Sequence, residues 1–186
     1  MAMFAHDLSV ARYRSFDSYR LALSDGVTVL AGPNAAGKTN LIEALQLLTS
    51  GASFRHPTAV ELVHDGVGSC RVELRLEGDG RVLDMGLSVE DGKRSFSRNG
   101  KRCAASGVRG VLPSVLFCPD HLDMVKRGAS VRRTALDDFG VQLSARYADL
   151  ASAYGRCVTQ RNALLKEAWC CREMLGAWNE SIARAG

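Results

Sequence analysis

No apolar run in the 186-residue sequence approaches the roughly 20 residues that cross a bilayer, so a helical membrane span is excluded. The opening residues, Met1-Ala2-Met3-Phe4-Ala5-His6-Asp7, hold no basic stretch leading into an apolar one, and a secretory leader is not expected. Both absences make the cytoplasm the expected location, with no membrane partner. Six cysteines occur, Cys70, Cys103, Cys118, Cys157, Cys170 and Cys171, yet none forms a C-x-x-C pair and no histidine cluster lies near them at zinc spacing. In a reducing compartment they read as small apolar residues. Internal repeats and low-complexity segments are also missing. A formal net charge of +4 is mild; it permits an acidic partner without requiring one. Hydrophobic residues make up 46% of the chain, enough for a packed core in one domain or in a domain with a helical extension.

One stretch organises the rest. Gly32-Pro33-Asn34-Ala35-Ala36-Gly37-Lys38-Thr39 reads G-x-x-x-x-G-K-T. Gly26-Val27-Thr28-Val29-Leu30-Ala31 before it has strand character, and Asn40-Leu41-Ile42-Glu43-Ala44-Leu45-Gln46-Leu47-Leu48 after it is apolar at helical spacing. Strand, glycine loop and helix form the setting in which this pattern binds phosphate. Gly32 and Gly37 permit backbone angles that turn successive N–H groups inward as an anion cradle. The helix start adds unpaired donors and partial positive charge. Lys38 is expected to reach the β- and γ-phosphates of ATP, and the Thr39 hydroxyl to hold Mg²⁺.

Upstream, residues 4–14 and Tyr19-Arg20-Leu21-Ala22-Leu23 read as strands. Thr58, with Glu61 at the reciprocal capping position, is expected to cap a short helix. Residues 70–76 and 81–89 alternate apolar with polar around Glu77-Gly78-Asp79-Gly80, an antiparallel hairpin with one wet face; Asn99-Gly100 marks another turn. Ser114-Val115-Leu116-Phe117-Cys118 reads as a buried strand ended by Pro119. From about Arg132 helical periodicity takes over: Leu136, Phe139, Leu143, Tyr147, Leu150, Tyr154 and Val158 recur every three or four residues and are expected to be core. A further helix is expected from about Cys170 to Ile182. The expected architecture is α/β: a P-loop NTPase lobe with an antiparallel β layer over residues 1–118, followed by the start of an α-helical arm over 119–186.

Several motifs go beyond a generic phosphate loop. Arg12-Tyr13-Arg14-Ser15-Phe16 resembles the N-F-R-N-Y opening of the RecF family. The resemblance continues through Asn34, Gly37-Lys38-Thr39-Asn40-Leu41-Ile42-Glu43-Ala44 and Ser53-Phe54-Arg55. Val115 to Lys126 is similar to the family's V-x-F-x-P-E-D-L-x-L-V-K, Arg132-Arg133-Thr134-Ala135-Leu136-Asp137 to R-R-x-F-L-D, and Arg161-Asn162-Ala163-Leu164-Leu165-Lys166 to R-N-x-L-L-K. Trp178-Asn179-Glu180 stands where the family has W-D-E. The resemblance implies the first lobe of an ABC-type, SMC-like ATPase head that binds ATP and Mg²⁺, dimerises around nucleotide and binds DNA. It further implies roles in DNA repair, replication and the SOS response, loading RecA at single-stranded gaps with RecO and RecR as partners. The ABC signature and second acidic motif of the family's C-terminal lobe have no counterpart here, so the sequence reads as an N-terminal half. Half a composite site is expected to bind nucleotide and hydrolyse little of it.

The resemblance and the residues together nominate a site. Gly32, Pro33, Asn34, Ala35, Ala36, Gly37, Lys38, Thr39 and Asn40 are the nucleotide candidates; Asn40 alternatively serves the helix start or faces solvent. Arg14 either approaches the nucleotide or is an exposed strand arginine. Lys38 and Asp120 are the catalytic candidates, Asp120 as a Mg²⁺ or water contact or simply a helix N-cap. Ala35 stands where the family has glycine, which the loop tolerates if its φ is negative. Glu43 is expected to shape its helix. Lys126, Arg127, Arg132 and Arg133 form a basic cluster, either a DNA contact or a solvated face. Two other functions fit a P-loop: a small phosphotransferase, against which stand the antiparallel hairpins and the missing arginine-rich lid, and a module that binds ATP and DNA without turnover.

Overall fold

The computed structural model describes residues 3–118, 122–126, 128–166 and 172–185. Asp120, His121, Arg127, Cys170 and Cys171 lie outside the described residues. The chain divides into two compact units, Met1–Leu116 and Phe117–Gly186.

The first unit is built on six strands: β1 (Phe4–Tyr13), β2 (Phe16–Ala22), β3 (Ser69–Gly78), β4 (Arg81–Glu90), β5 (Lys93–Arg98) and β6 (Lys101–Cys103). They form one sheet in the order β2-β1-β3-β4-β5-β6, antiparallel throughout. Its hairpins follow from local chemistry. Asp79-Gly80, Asp91-Gly92 and Asn99-Gly100 each place two successive residues at positive φ, which matches the right-handed twist of the flanking strands. The Asp79-Gly80 and Asn99-Gly100 turns fall where the sequence marks them.

Alternation decides which face is wet. Val72, Leu74 and Leu76 of β3 and Leu83, Met85, Leu87 and Val89 of β4 point into the core, as do Leu8 and Val10 of β1. The other face carries exposed ion pairs such as Arg75–Asp84, residues that stand directly opposite across β3 and β4. Helix α1 (Lys38–Ser50) closes the core with Leu41, Ala44, Leu47 and Leu48 at the three- and four-residue spacing of one helical face. It ends at Gly51, whose φ of 74° suits a left-handed cap; a Cβ there would meet the Ala105 carbonyl oxygen at 2.8 Å. After α1, Thr58 and Glu61 exchange hydrogen bonds around the 3-10 turn Val60–Leu62, the expected capping box.

Two expected strands are not formed. Residues 26–31, before the phosphate loop, and 114–118 lie in no ladder among the described residues. Val27 and Val29 are 85% and 78% exposed, and Val115 and Phe117 are exposed as well. Their β-branched, apolar sequence suits a strand, but residue type alone does not form one: a strand exists only within a ladder of paired backbone.

The second unit is helical: α2 (Asp123–Lys126), α3 (Ala129–Leu143), α4 (Ala145–Leu164) and α5 (Arg172–Ala185). Ser144 interrupts the expected run with extended backbone, and its side chain accepts from the Tyr147 N–H to cap α4. The stripe expected to be core is not buried: Leu136, Phe139, Leu143, Tyr147, Leu150 and Tyr154 are all exposed. Helical spacing shows a common face, whereas burial also needs something packed upon that face. No described helix is long and apolar enough to cross a membrane.

The central strand β3 places Cys70, Val72, Leu74 and Leu76 in the core, which gives a test. Leu74→Ala should cost about 3 kcal/mol of unfolding free energy, while Val82→Ala, on an exposed β4 position, should cost under about 1 kcal/mol. Urea denaturation of the two variants measures the difference.

Candidate functional site: a phosphate loop beside a buried acidic hub

The loop follows its sequence pattern. Residues 31–36 are exposed, and α1 begins directly at Lys38 with Gly37 as its cap residue at φ 88°. No side chain caps this helix start; the Asn40 and Leu41 N–H groups donate to the Gly37 oxygen, and the N–H groups of Lys38 and Thr39 are left for a ligand. Gly37 is required twice over. Its backbone is left-handed, and a Cβ would lie 2.5 Å from the Phe16 ring and 2.9 Å from Ser15 Oγ. Lys38 curls back over the loop, its Nζ donating to the carbonyl oxygens of Gly32 at 2.8 Å and Pro33 at 2.7 Å. The ammonium is thereby held above the turn made by residues 33–36, where the Ala36 N–H donates to the Pro33 oxygen. Thr39 is exposed on the first turn of α1.

Ala35 departs from expectation. Its φ is +65°, not negative, so an L-residue occupies the left-handed region in the place where the resembled family has glycine. That conformation costs about 1 kcal/mol or somewhat more. Exposure leaves room for the methyl group, which is why the loop accepts the strain without a clash.

Beside the loop lies a feature that the sequence reading passed over. Glu43 is fully buried on α1 and is surrounded by donors. Arg14 binds it with two nitrogens, Nε at 3.0 Å and Nη2 at 2.9 Å. Ser53 Oγ donates at 2.7 Å and the Tyr13 hydroxyl at 3.3 Å. Arg55 Nη1 stands 3.5 Å away and donates to Asn40 Oδ1 at 2.9 Å. Asn40 in turn donates to Ser15 Oγ at 3.1 Å. Burial, and then the Glu43 charge, push the Tyr13 hydroxyl far up from its ordinary pKa, so it remains a donor. For Arg14, burial pulls downward, but the hydrogen bonds and charge of Glu43 raise its pKa on balance and keep it cationic. Arg14 is therefore neither an exposed strand arginine nor a freely extended one.

Local structure explains how these groups converge. Arg12 and Arg14 both have positive φ, turning the chain sharply between β1 and β2. The Arg14 N–H donates to the Leu62 oxygen and the His64 N–H to the Arg12 oxygen, so the segment after the 3-10 turn holds the bend. Gln46 Oε1 accepts the Phe54 N–H at 2.8 Å, fixing the loop that carries Ser53 and Arg55. The signal for the hub was present: Glu43 precedes Leu47 by four residues, inside the apolar face of α1.

The remaining described candidates belong to the second unit. Lys126, Arg132 and Arg133 are exposed on α2 and α3 of the helical unit. Among the described residues no three His, Cys, Asp or Glu side chains come together to hold a metal ion. Among the described residues, the Thr39 hydroxyl at the helix start is the side chain placed to serve as a Mg²⁺ ligand beside phosphate oxygens.

Residues 7–111 match the AAA domain family, a span that contains the sheet, α1, the loop and the hub. The chain belongs to the AAA domain family. It has a P-loop ATPase fold, with the AAA domain's phosphate loop set against an antiparallel sheet. Over 99% of its length it is 35% identical to the DNA replication and repair protein RecF of Pseudarthrobacter chlorophenolicus, covering 48% of that protein. It is likewise 35% identical to the RecF protein of Beutenbergia cavernae, covering 50% of it. A solved structure of the recombination mediator protein RecF-ATPrS in the RecFOR pathway superposes with a TM-score of 0.89 at 27% identity, covering 99% of this chain and 51% of that one. The RecF-ATP structure gives 0.87 at the same identity and coverage. The chain thus spans about half the length of the RecF proteins it resembles, and the AAA domain forms its first part.

Two variants test this geometry. Glu43→Gln removes the charge that two guanidiniums share and should cost about 3 kcal/mol of stability, measured by urea denaturation. Ala35→Gly removes the left-handed strain but frees the unfolded chain, so its thermal midpoint should be equal to or above that of the parent; a lower one contradicts the assigned φ.

Proposed function

We propose that this chain binds ATP at Gly32–Asn40 as the nucleotide-binding part of a RecF-like recombination and repair protein. The observation that carries the reading is Lys38 held over a glycine loop at an uncapped helix start. The AAA family match and the likeness to ATP-bound RecF structures support it. The same likeness, extending over 99% of the chain, favours it over a small phosphotransferase. Gly32, Pro33, Asn34, Ala35, Ala36 and Gly37 would present backbone donors to the triphosphate, and Lys38 would neutralise its terminal charge. Thr39 would carry Mg²⁺, which when bound supplies Lewis-acid stabilisation of phosphoryl oxygens. Asn40 would hold Arg55 and Ser15 in place, and Arg14 would act through Glu43. Asp120 is retained as a further contact to Mg²⁺ or water.

In a full-length RecF-like protein, ATP would be hydrolysed between two heads of a homodimer, with RecO- and RecR-like mediators and DNA as partners in gap repair, replication and the SOS response in the cytoplasm. The present chain would bind nucleotide and turn over little of it. Lys126, Arg127, Arg132 and Arg133 would form the DNA contact, because clustered cations suffice for phosphate-backbone binding.

Lys38→Ala should weaken ATP binding by about a hundredfold, the loss expected for a charge-assisted contact to phosphate. Its unfolding free energy should change by less than about 0.5 kcal/mol, since the side chain is not part of the core. Isothermal titration with ATP and Mg²⁺, beside a urea melt, checks both. Replacing Lys126 and Arg133 with alanine should lower the slope of log affinity for duplex DNA against log salt by about one per cation. An unchanged slope would remove this cluster from the DNA surface.

A further inference from the structure

The dry face of the sheet does not end in hydrocarbon. Along β4 and β5 the inward positions include Leu83, Met85 and Phe96, all buried. The same alternation carried outward reaches Arg81, two residues before Leu83, and Arg98, directly opposite Met85. Both arginines are exposed and stand beside the β3–β4 and β5–β6 turns. The chain after the 3-10 turn Ala105–Gly107 forms a facing wall. It contributes Arg109, whose Nε donates to the Ser50 carbonyl oxygen at the end of α1 at 3.1 Å. Between these walls lies a groove of about 860 Å³, with Met3, Leu83 and Val111 in its apolar lining.

Three guanidiniums line this groove, and among its described lining residues there is no carboxylate. On the wet face, by contrast, Arg75 and Arg20 are matched by Asp84 and Asp7. Neither Arg81 nor Arg98 has an ion-pair partner among the described residues, and Arg109 has one nitrogen engaged, by a neutral carbonyl. Like charges gathered without a counter-charge repel one another, and an anionic ligand relieves them. The lining also chooses among anions. Its apolar members are aliphatic, with no aromatic ring among the described ones on which a base could stack. An oligonucleotide would therefore gain phosphate contacts alone. A peptide that alternates acidic with aliphatic residues gains twice, carboxylates for the guanidinium forks and hydrocarbon for the floor. We propose that this groove docks an acidic segment of a partner protein. An aliphatic side chain of that segment rests on Met3, Leu83 and Val111, and flanking carboxylates pair with Arg81, Arg98 and Arg109. The groove borders the last residue of α1, whereas the phosphate loop leads into its first, so docking requires no nucleotide.

The test follows the fluorescence anisotropy of a labelled peptide of alternating glutamate and leucine, added to the full chain without nucleotide. The parent should bind it, and a peptide with serine in place of leucine should bind about tenfold more weakly, the loss expected for one buried aliphatic side chain. Arg81→Glu and Arg98→Glu should each weaken the leucine peptide about tenfold, as the loss of a charge-assisted contact does. Lys93→Glu makes the same change in net charge at the other end of β5 and should leave binding unchanged. Equal affinity for the two peptides would mean that charge alone acts, and the proposal would be overturned. Equal losses in Arg98→Glu and Lys93→Glu would overturn it as well. A single-stranded oligonucleotide of matching charge that displaces the peptide from the parent, yet does not bind Arg98→Glu, would make the groove a nucleic-acid surface instead. Absence of peptide binding by the parent would end the proposal outright.

Discussion

A single carboxylate without water holds the functional end of the AAA unit together. Glu43 is buried, and an ionised carboxylate is tolerated there only when its lone pairs are filled. The donors come from two separate stretches, Tyr13 and Arg14 at the end of β1 and just beyond it, and Ser53 and Arg55 in the loop after α1, while α1 supplies the acid itself. Satisfying one charge therefore fixes three pieces of backbone around the helix start that carries Lys38 and Thr39. Two guanidiniums face one carboxylate, so the cluster retains positive charge. Arg55, 38% exposed at its side chain, is the outlet of that excess toward Asn40. An anion arriving at the helix start meets the loop amides, the ammonium of Lys38 and this residual field together.

The division of labour between core and site follows from the same sheet. Its inner face is closed by the apolar stripe of α1, which fixes the helix in rotation and leaves Glu43 pointing at the β1–β2 turn. Once the helix is pinned by Leu41, Ala44, Leu47 and Leu48, the phosphate loop has a rigid downstream wall. Ala35 shows that the loop can then hold one residue in an unfavourable conformation, since the energy for it comes from packing elsewhere.

Much of this was legible in the residues. The Asp79-Gly80 and Asn99-Gly100 pairs located two hairpins, alternation told the wet face of β3 and β4 from the dry one, and the glycine loop identified the phosphate site by chemistry that is local in sequence. The capping box of Thr58 and Glu61 was equally local. What stayed hidden depends on contacts between distant stretches. Periodicity marks Leu136, Phe139 and Tyr147 as one face, yet whether a face is buried is set by its neighbours and not by its spacing. Val27 and Val29 have the residue types of a strand, but a ladder requires a second chain segment at hydrogen-bonding distance. Glu43 was read as helix-shaping because its partners Arg14 and Arg55 lie in other elements, although a charged residue within an apolar stripe is itself a sign of a buried ion pair. The φ of Ala35 stayed open because residue type states a preference, while the closure of the turn decides the angle.

The two ends of the phosphate loop are held very differently. Downstream, Gly37 runs into a helix sealed in the core; upstream, residues 26–31 join no ladder among the described residues, although Leu30 rests partly buried against the core. Any polypeptide that laid a β-strand against them would restrict the loop from its loose end, and a nucleotide that ordered the loop would in turn preorganise that strand. The two bindings are then thermodynamically linked, each strengthening the other by the same factor. In this way a bare stretch of main chain would make the grip on phosphate responsive to protein assembly.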